Sequence, residues 1–382
     1  MMYDFLQPVN SEIVSQIQKQ SKQALGNKVV FHTETDFPNL DGVEMAILAV
    51  NDYRGAGLTN DDEDFSKFRT YFYALFPGNW TVSIADLGTI QAGATIEDTY
   101  FLVKSICSEL LRKKIIPVII GGSQDLTYAL YRSYDNLDQM VNLVSVDSKF
   151  DFAQESGLPF NSYLTKIVIE EPNNLFNYSN LGYQTYFNSQ EEIDLIEKLY
   201  FDAYRLGEVS QKLYITEPVF RDADIASFDM MSVESSNSGN INYFNPNGFS
   251  GKEICALARY AGISDKISSF GVFNFYNSTK EVTLVAQTLW YFIEGYANRY
   301  NEYPFTVKEN YYKYIVPIDD EELVFYKSNK TDRWWIEIPI FSNIDNKIKR
   351  NTLLPCTHQE YLAACEQEIP ERWWKIQRRN LL

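Results

Sequence analysis

Histidine is almost missing from this chain: its 382 residues include only His32 and His358. Chemistry that needs imidazole as a metal ligand or as a base must use these two. Their surroundings, VVFHTETDF and CTHQEYL, offer no ligand pattern, so both read as structural or surface residues. Cysteine is also scarce. Cys107, Cys255, Cys356 and Cys365 show no CxxC spacing, and the segment MMYDFLQPVNSE lacks the basic and apolar regions of an export signal, so reduced thiols in a cytoplasmic protein are expected. No apolar run approaches the roughly 20 residues that span a bilayer, which excludes membrane insertion through a helix. Basic residues are outnumbered 34 to 51, for a formal charge of -17. A field of that sign repels phosphate and excludes a generic nucleic-acid or anionic-membrane surface. The chain has neither GxGxxG nor GxxxxGK[ST], so no dinucleotide or P-loop site is indicated.

What is present is apolar and aromatic, at 45% and 15% of residues, enough for one large α/β domain or two ordinary ones. Short β-rich runs at 45–50, 81–86, 116–120, 141–146, 179–184, 212–216, 224–229 and 267–273 read as strands. Helical periods lie between them, over 95–111 and in EEIDLIEKLYFDAYRLG, which ends at Gly207. Alternation of this kind predicts right-handed crossovers and a mostly parallel sheet covered on both faces. Ligands of such sheets bind beyond the carboxyl ends of the strands.

Three strand ends carry unusual residues. MVNLVS runs into VDSKFD, with Asp147, Lys149 and Asp151; IIPVII runs into GGSQDLTYA; DIAS runs into FDMMSVESSNSGN. Taken singly, a Gly-Gly is commonly a tight turn, and acids after a strand are commonly solvated loop residues.

In order and separation, GGSQ (121–124), DSKFD (147–151) and SFDMM (227–231) resemble the ureohydrolase family of arginases, agmatinases and formimidoylglutamases. That family places GGxH, DAHxD and SxDxD there to hold two manganese ions. RGAG (54–57), DLGTIQAGATIEDTY (86–100), SGLPF (156–160) and TLVAQTLWYFIEG (283–295) resemble formimidoylglutamase-type sequence, so the likeness spans about 40–300. It implies a three-layer arginase-like α/β fold with a mostly parallel sheet of about eight strands. The implied domains are an N-terminal segment 1–40, a core 41–302 and a C-terminal α+β extension 303–382.

The departures bear on function. Carried over by position, the two ligand histidines become Gln124 and Lys149 and the last aspartate becomes Met231, while Asp147, Asp151 and Asp229 survive. The guanidinium-gripping glutamate, expected near 272–274, is absent. Manganese prefers oxygen and imidazole donors. The resemblance therefore implies a vestigial metal site with no cofactor, in which the Lys149 ammonium stands in for a metal within salt-bridge reach of Asp147, Asp151 and Asp229. The reading that follows is a catalytically inactive scaffold or binding subunit, with a protein partner or a second copy of the chain as its companion. Two alternatives stay open. One is a hydrolase of a guanidino or amidino compound, holding a single manganese or other divalent cation on Gln124, Asp147, Asp151 and Asp229. The other is a small-molecule sensor that contacts its ligand through Arg54 and Lys149.

Beyond residue 300 the likeness stops. DRWWIEIPIF reads as a strand, and CTHQEYLAACEQEIPERWWKIQRR as two helices, the first with a Thr357/Glu360 capping box and the second with Pro370 in its first turn. Four of the six tryptophans, Trp334, Trp335, Trp373 and Trp374, lie here. They predict an extension packed on the core by its aromatics, which in that position could roof the strand-end site.

Overall fold

The computed structural model describes residues 2–59, 65–137, 139–153, 157–240, 243–276, 278–302, 308–318, 321–338 and 353–379. Ten strands form one sheet: β1 (Leu6–Gln7), β2 (Val29–Phe31), β3 (Met45–Asn51), β4 (Ile84–Gln91), β5 (Ile116–Ile120), β6 (Val141–Val146), β7 (Leu175–Tyr183), β8 (Asp202–Arg205), β9 (Ile225–Asp229) and β10 (Ser269–Phe273). Their order is β1-β4-β3-β5-β10-β9-β6-β7-β8, with β2 also paired to β4, and every pairing except β1–β4 is parallel. β3, β5, β6, β9 and β10 are buried along their whole length. That is why they read as unbroken apolar runs rather than as alternating ones.

Two hydrophobic clusters cover the two faces. One joins the helices Ser66–Tyr73, Gly251–Ile263 and Thr279–Ala297. The other joins Ile96–Arg112, Leu126–Arg132, Tyr163–Ile169 and Gln190–Lys198. The three-layer expectation holds, with a sheet wider than eight strands.

Two expected elements differ. The run 212–216 is not a strand: Leu213–Ile215 is a 3-10 turn, and an α-helix begins at Thr216. The single helix expected to end at Gly207 is instead Gln190–Lys198, then β8, then a short helix Leu206–Gln211. β8 is a four-residue edge strand, too short to show a period of its own.

The C-terminal extension forms a second, antiparallel sheet of β11 (Tyr311–Ile318), β12 (Glu321–Ser328), β13 (Trp334–Glu337) and β14 (Leu353–Cys356), followed by the helices His358–Cys365 and Glu371–Arg379. The capping box Thr357/Glu360 is present, and Pro370 immediately precedes the last helix. The expected boundary at 302/303 and the end of DRWWIEIPIF, 339–341, touch or lie outside the described residues. One face of this sheet packs on its own two helices through Phe325, Trp334, Ile336 and Trp373. The other face meets the core, where the Arg221 guanidinium lies 4.7 Å from the Trp335 ring centre and donates to the carbonyls of Trp334 (3.1 Å) and Cys356 (3.2 Å).

Further contacts are ionic. Arg333 pairs with Glu217 at 3.4 Å, Arg372 with Asp202 at 3.8 Å, and Lys375 with Asp202 at 3.9 Å, while Arg379 donates to the Phe176 carbonyl at 3.0 Å. Phe176 is the second residue of β7, Asp202 begins β8, and Asp222, 3.9 Å from Arg372, precedes β9. The extension is thus fixed to the amino ends of the parallel strands. Its described residues do not roof the carboxyl-end site, because its cations find their carboxylates on the opposite rim. No described helix is long and apolar enough to cross a membrane.

Candidate functional site

At the carboxyl end of β5 the chain turns through Gly121 and Gly122 at φ +92° and +73°. A Cβ there would come within 2.4 Å of the Phe65 ring and 2.3 Å of Leu126, so the pair is required both by its backbone conformation and by close packing. The turn delivers Gln124 into the interior, 1% exposed. Its backbone N–H donates to Asn274 Oδ1 (3.1 Å), and its Nε2 lies 3.2 Å from Ser145 Oγ and 3.3 Å from the Tyr163 hydroxyl.

Asp147 follows β6 directly and accepts the Lys149 N–H on Oδ1 at 2.9 Å, which closes the DSK turn. Asparagine side chains pin the rest of the loop. Asn188 accepts from Phe150 N (2.8 Å) and donates to the Ser148 carbonyl (3.1 Å), and Asn180 donates to the Lys149 carbonyl (2.7 Å). Asp151 sits in the left-handed region at φ +56°, which aspartate tolerates better than most residues. Asp229 ends β9 and accepts from Met231 N (2.8 Å) and from Asn274 Nδ2 (3.0 Å). Asn274 itself donates from its backbone to the Gly122 carbonyl at 2.9 Å. One asparagine therefore staples the ends of β5, β9 and β10, at the place where the resemblance leads one to look for a glutamate.

The three carboxyl groups are all buried. Burial pushes each above the usual carboxylate range, and the Asp147 charge adds to the rise at Asp151 and Asp229. The Lys149 N–H, donated to Asp147 Oδ1, opposes the rise at Asp147.

Lys149 departs from expectation. Its ammonium is half-buried, 3.5 Å from Asn161 Oδ1 and 5.7 and 5.9 Å from the ring centres of Phe160 and Tyr243. It makes no ion pair within 4.0 Å among the described residues. The expected salt-bridge contact is corrected: the aspartates keep their own hydrogen bonds, and the ammonium acts on them from the aromatic mouth of the site, lowering all three carboxyls through space. Replacing Lys149 by Met should therefore cost only about 1 kcal/mol in thermal unfolding at neutral pH, the scale of a partly screened charge interaction. A loss of 3 kcal/mol or more, the rough scale for breaking a buried pair, would show direct contact after all.

Arg54 does not fit the ligand role assigned to it. Its guanidinium is bidentate on Asp52 (2.9 and 2.7 Å) and donates to the carbonyls of Ala94 (3.2 Å) and Thr95 (3.0 Å), so its donors are taken by the fold. His32 bonds the Leu87 carbonyl and His358 stacks on Trp334, both structural. Met231 is half-buried beside Asp229, and its carbonyl accepts from Asn245. Ser145, Tyr163, Asn180, Asn274 and Tyr243 belong to the site and carried no motif. Tyr243 is pushed up to about 12 by burial first and then by the three aspartates.

A wide, mostly parallel α/β sandwich with acids converging beyond its carboxyl ends defines the ureohydrolase class of fold. The family model of the arginases matches residues 68–270, more than half of the sequence, and the chain belongs to the arginase family. Among solved structures it is similar to Trypanosoma cruzi formiminoglutamase with manganese, at 17% identity and a TM-score of 0.61, over 69% of this chain and 97% of that one. It is likewise similar to Bacillus subtilis formimidoylglutamase (16%, 0.59, 70% and 96%) and Thermoplasma volcanium agmatine ureohydrolase (16%, 0.57, 74% and 96%). These likenesses show the fold. No curated protein sequence matches the chain.

Proposed function

We propose that this arginase-family protein is a non-hydrolytic scaffold or binding subunit whose strand-end cluster balances its charge without a metal pair. The observation that carries the reading is the donor set. A pair of manganese ions does not fit residues that offer an amide at Gln124, an ammonium at Lys149 and a thioether at Met231 in place of imidazole and carboxylate. Among the described residues no group of three or more His, Cys, Asp or Glu is arranged to hold a metal. The contacts of the carboxylates come from the fold itself: the Lys149 N–H on Asp147, and Asn274 with the Met231 N–H on Asp229.

Purified protein incubated with manganese is expected to retain well under one equivalent after desalting. It is also expected to release neither urea nor formamide from arginine, agmatine or formimidoylglutamate. Elemental analysis and product assays check both. Turnover that depends on added metal would overturn the proposal. It would favour the second reading, a hydrolase with one divalent cation on Gln124, Asp147, Asp151 and Asp229, which draws support from Asp147 Oδ2, Asp151 Oδ2 and Gln124 Oε1 being buried acceptors that no N–H occupies in the orientation described.

A further inference from the structure

A cavity of about 310 Å³ lies behind the strand-end cluster, between the start of helix Ile96–Arg112, the helix Leu126–Arg132 and the segment 157–170. Two of its walls are the tyrosines that back the cluster. The Tyr163 hydroxyl lies 3.3 Å from Gln124 Nε2, and the Tyr100 hydroxyl donates to Asp125 Oδ2 at 2.5 Å. Tyr128 forms a third wall, its ring 5.5 Å from that of Tyr100 in an edge-to-face arrangement, and its hydroxyl donates to Glu170.

The charged groups of the cavity are Lys166 with its neighbour Glu170, and Glu97 on the other helix. The Lys166 ammonium rests on the two rings, 4.4 Å from the Tyr128 centre and 5.1 Å from that of Tyr100. Its nearest carboxylate oxygen, on Glu170, is 3.8 Å away, beyond hydrogen-bond length, so its donors remain available. The Ser162 hydroxyl lines the cavity on the same segment, and its own contacts, at 3.4 and 3.5 Å to backbone carbonyls, are long. Glu97 stands at the rim on the first turn of its helix, exposed and in no ion pair among the described residues.

We infer that this cavity is a binding site for a small zwitterion of the α-amino-acid type, separate from the strand-end cleft. The carboxylate is received by Lys166 and Ser162, the ammonium by Glu97, and the side chain lies on the tyrosine rings and Pro159. A simple anion would meet two glutamates and a simple cation would meet Lys166. A ligand carrying both charges satisfies both ends. The volume matches the lower range of small-molecule pockets.

The test is thermal unfolding of the full chain with a panel of the common L-α-amino acids at about 5 mM. At least one should raise the midpoint by about 1–2 °C. The amide of that amino acid, which lacks the carboxylate, and its des-amino acid, which lacks the ammonium, should give no shift. Lys166→Met and Glu97→Gln should each abolish the shift, and Lys149→Met should leave it intact. Both substituted side chains are partly or fully exposed, so the variants are expected to fold. The inference is overturned if no amino acid shifts the midpoint, if the shift survives both cavity variants, or if Lys149→Met removes it, which would place the ligand in the strand-end cleft.

Discussion

A chain ending at residue 302 is expected to lose cooperative folding and to collect in the insoluble fraction. The extension covers Phe176 of β7, which packs against its hydrophobic cluster, and Tyr200, whose ring lies 5.6 Å from that of Trp374, and its loss uncovers both. The ionic loss is larger. Asp202 is 2% exposed and has Arg372 and Lys375 as its ion-pair partners, while Asp222 loses Arg372 and Glu217 loses Arg333. Removing one partner from a buried pair costs roughly 3–5 kcal/mol because the other charge stays behind. Two such losses approach the roughly 5–15 kcal/mol that holds a whole domain together. Circular dichroism melts and gel filtration of the truncated chain decide the matter. A soluble, sharply melting product would mean that the extension is an appended module with a binding surface of its own.

The second large effect concerns Glu281. It lies wholly buried in the first turn of helix Thr279–Ala297, accepting from Tyr276 N (3.2 Å) and Ser278 Oγ (3.1 Å), and burial pushes its carboxyl up to about 7. The unfolded chain releases the same proton near the ordinary glutamate value of about 4.3. Between these values the native state binds more protons than the unfolded state, so stability falls as pH rises through the window and is level above it. A rise of this size corresponds to about 3.7 kcal/mol at most. Glu281→Gln keeps an acceptor for the cap and removes the titration. Its stability relative to the parent should therefore grow from pH 4.5 to pH 8 by up to about 3 kcal/mol. Urea unfolding of both proteins at the two ends of the window measures this, and parallel pH profiles would show that the carboxyl is ionised in the folded state at little cost. Glu281 carried no signal of function in the sequence, where it is one acid at a helix start. Only its burial makes it titrate near neutrality.

The sequence by itself determined the class of fold and the register of the site. Fully buried strands write themselves as runs such as MAILAV and VNLVSV, and the turns after them need glycine or aspartate, so GGSQ, DSKFD and SFDMM could be aligned to strand ends before any coordinate was known. It also shows a glutamine, a lysine and a methionine where the resemblance leads one to look for metal donors, a difference that is a matter of chemistry alone. Tertiary structure decided everything that depends on which distant groups meet. β8 is too short to announce itself, and it exists because β7 offers a free edge. Asn274 became the staple of three strands because parallel pairing brings Gly122, Gln124 and Asp229 to it. Lys149 points to Asn161, Phe160 and Tyr243 rather than into the carboxylates, and Asp147 and Asp229 take their donors from backbone N–H groups and from Asn274. The extension sits on the amino rim because Asp202, Asp222 and Glu217 gather there. Pairings of that kind join residues more than a hundred positions apart, and local periodicity carries no trace of them.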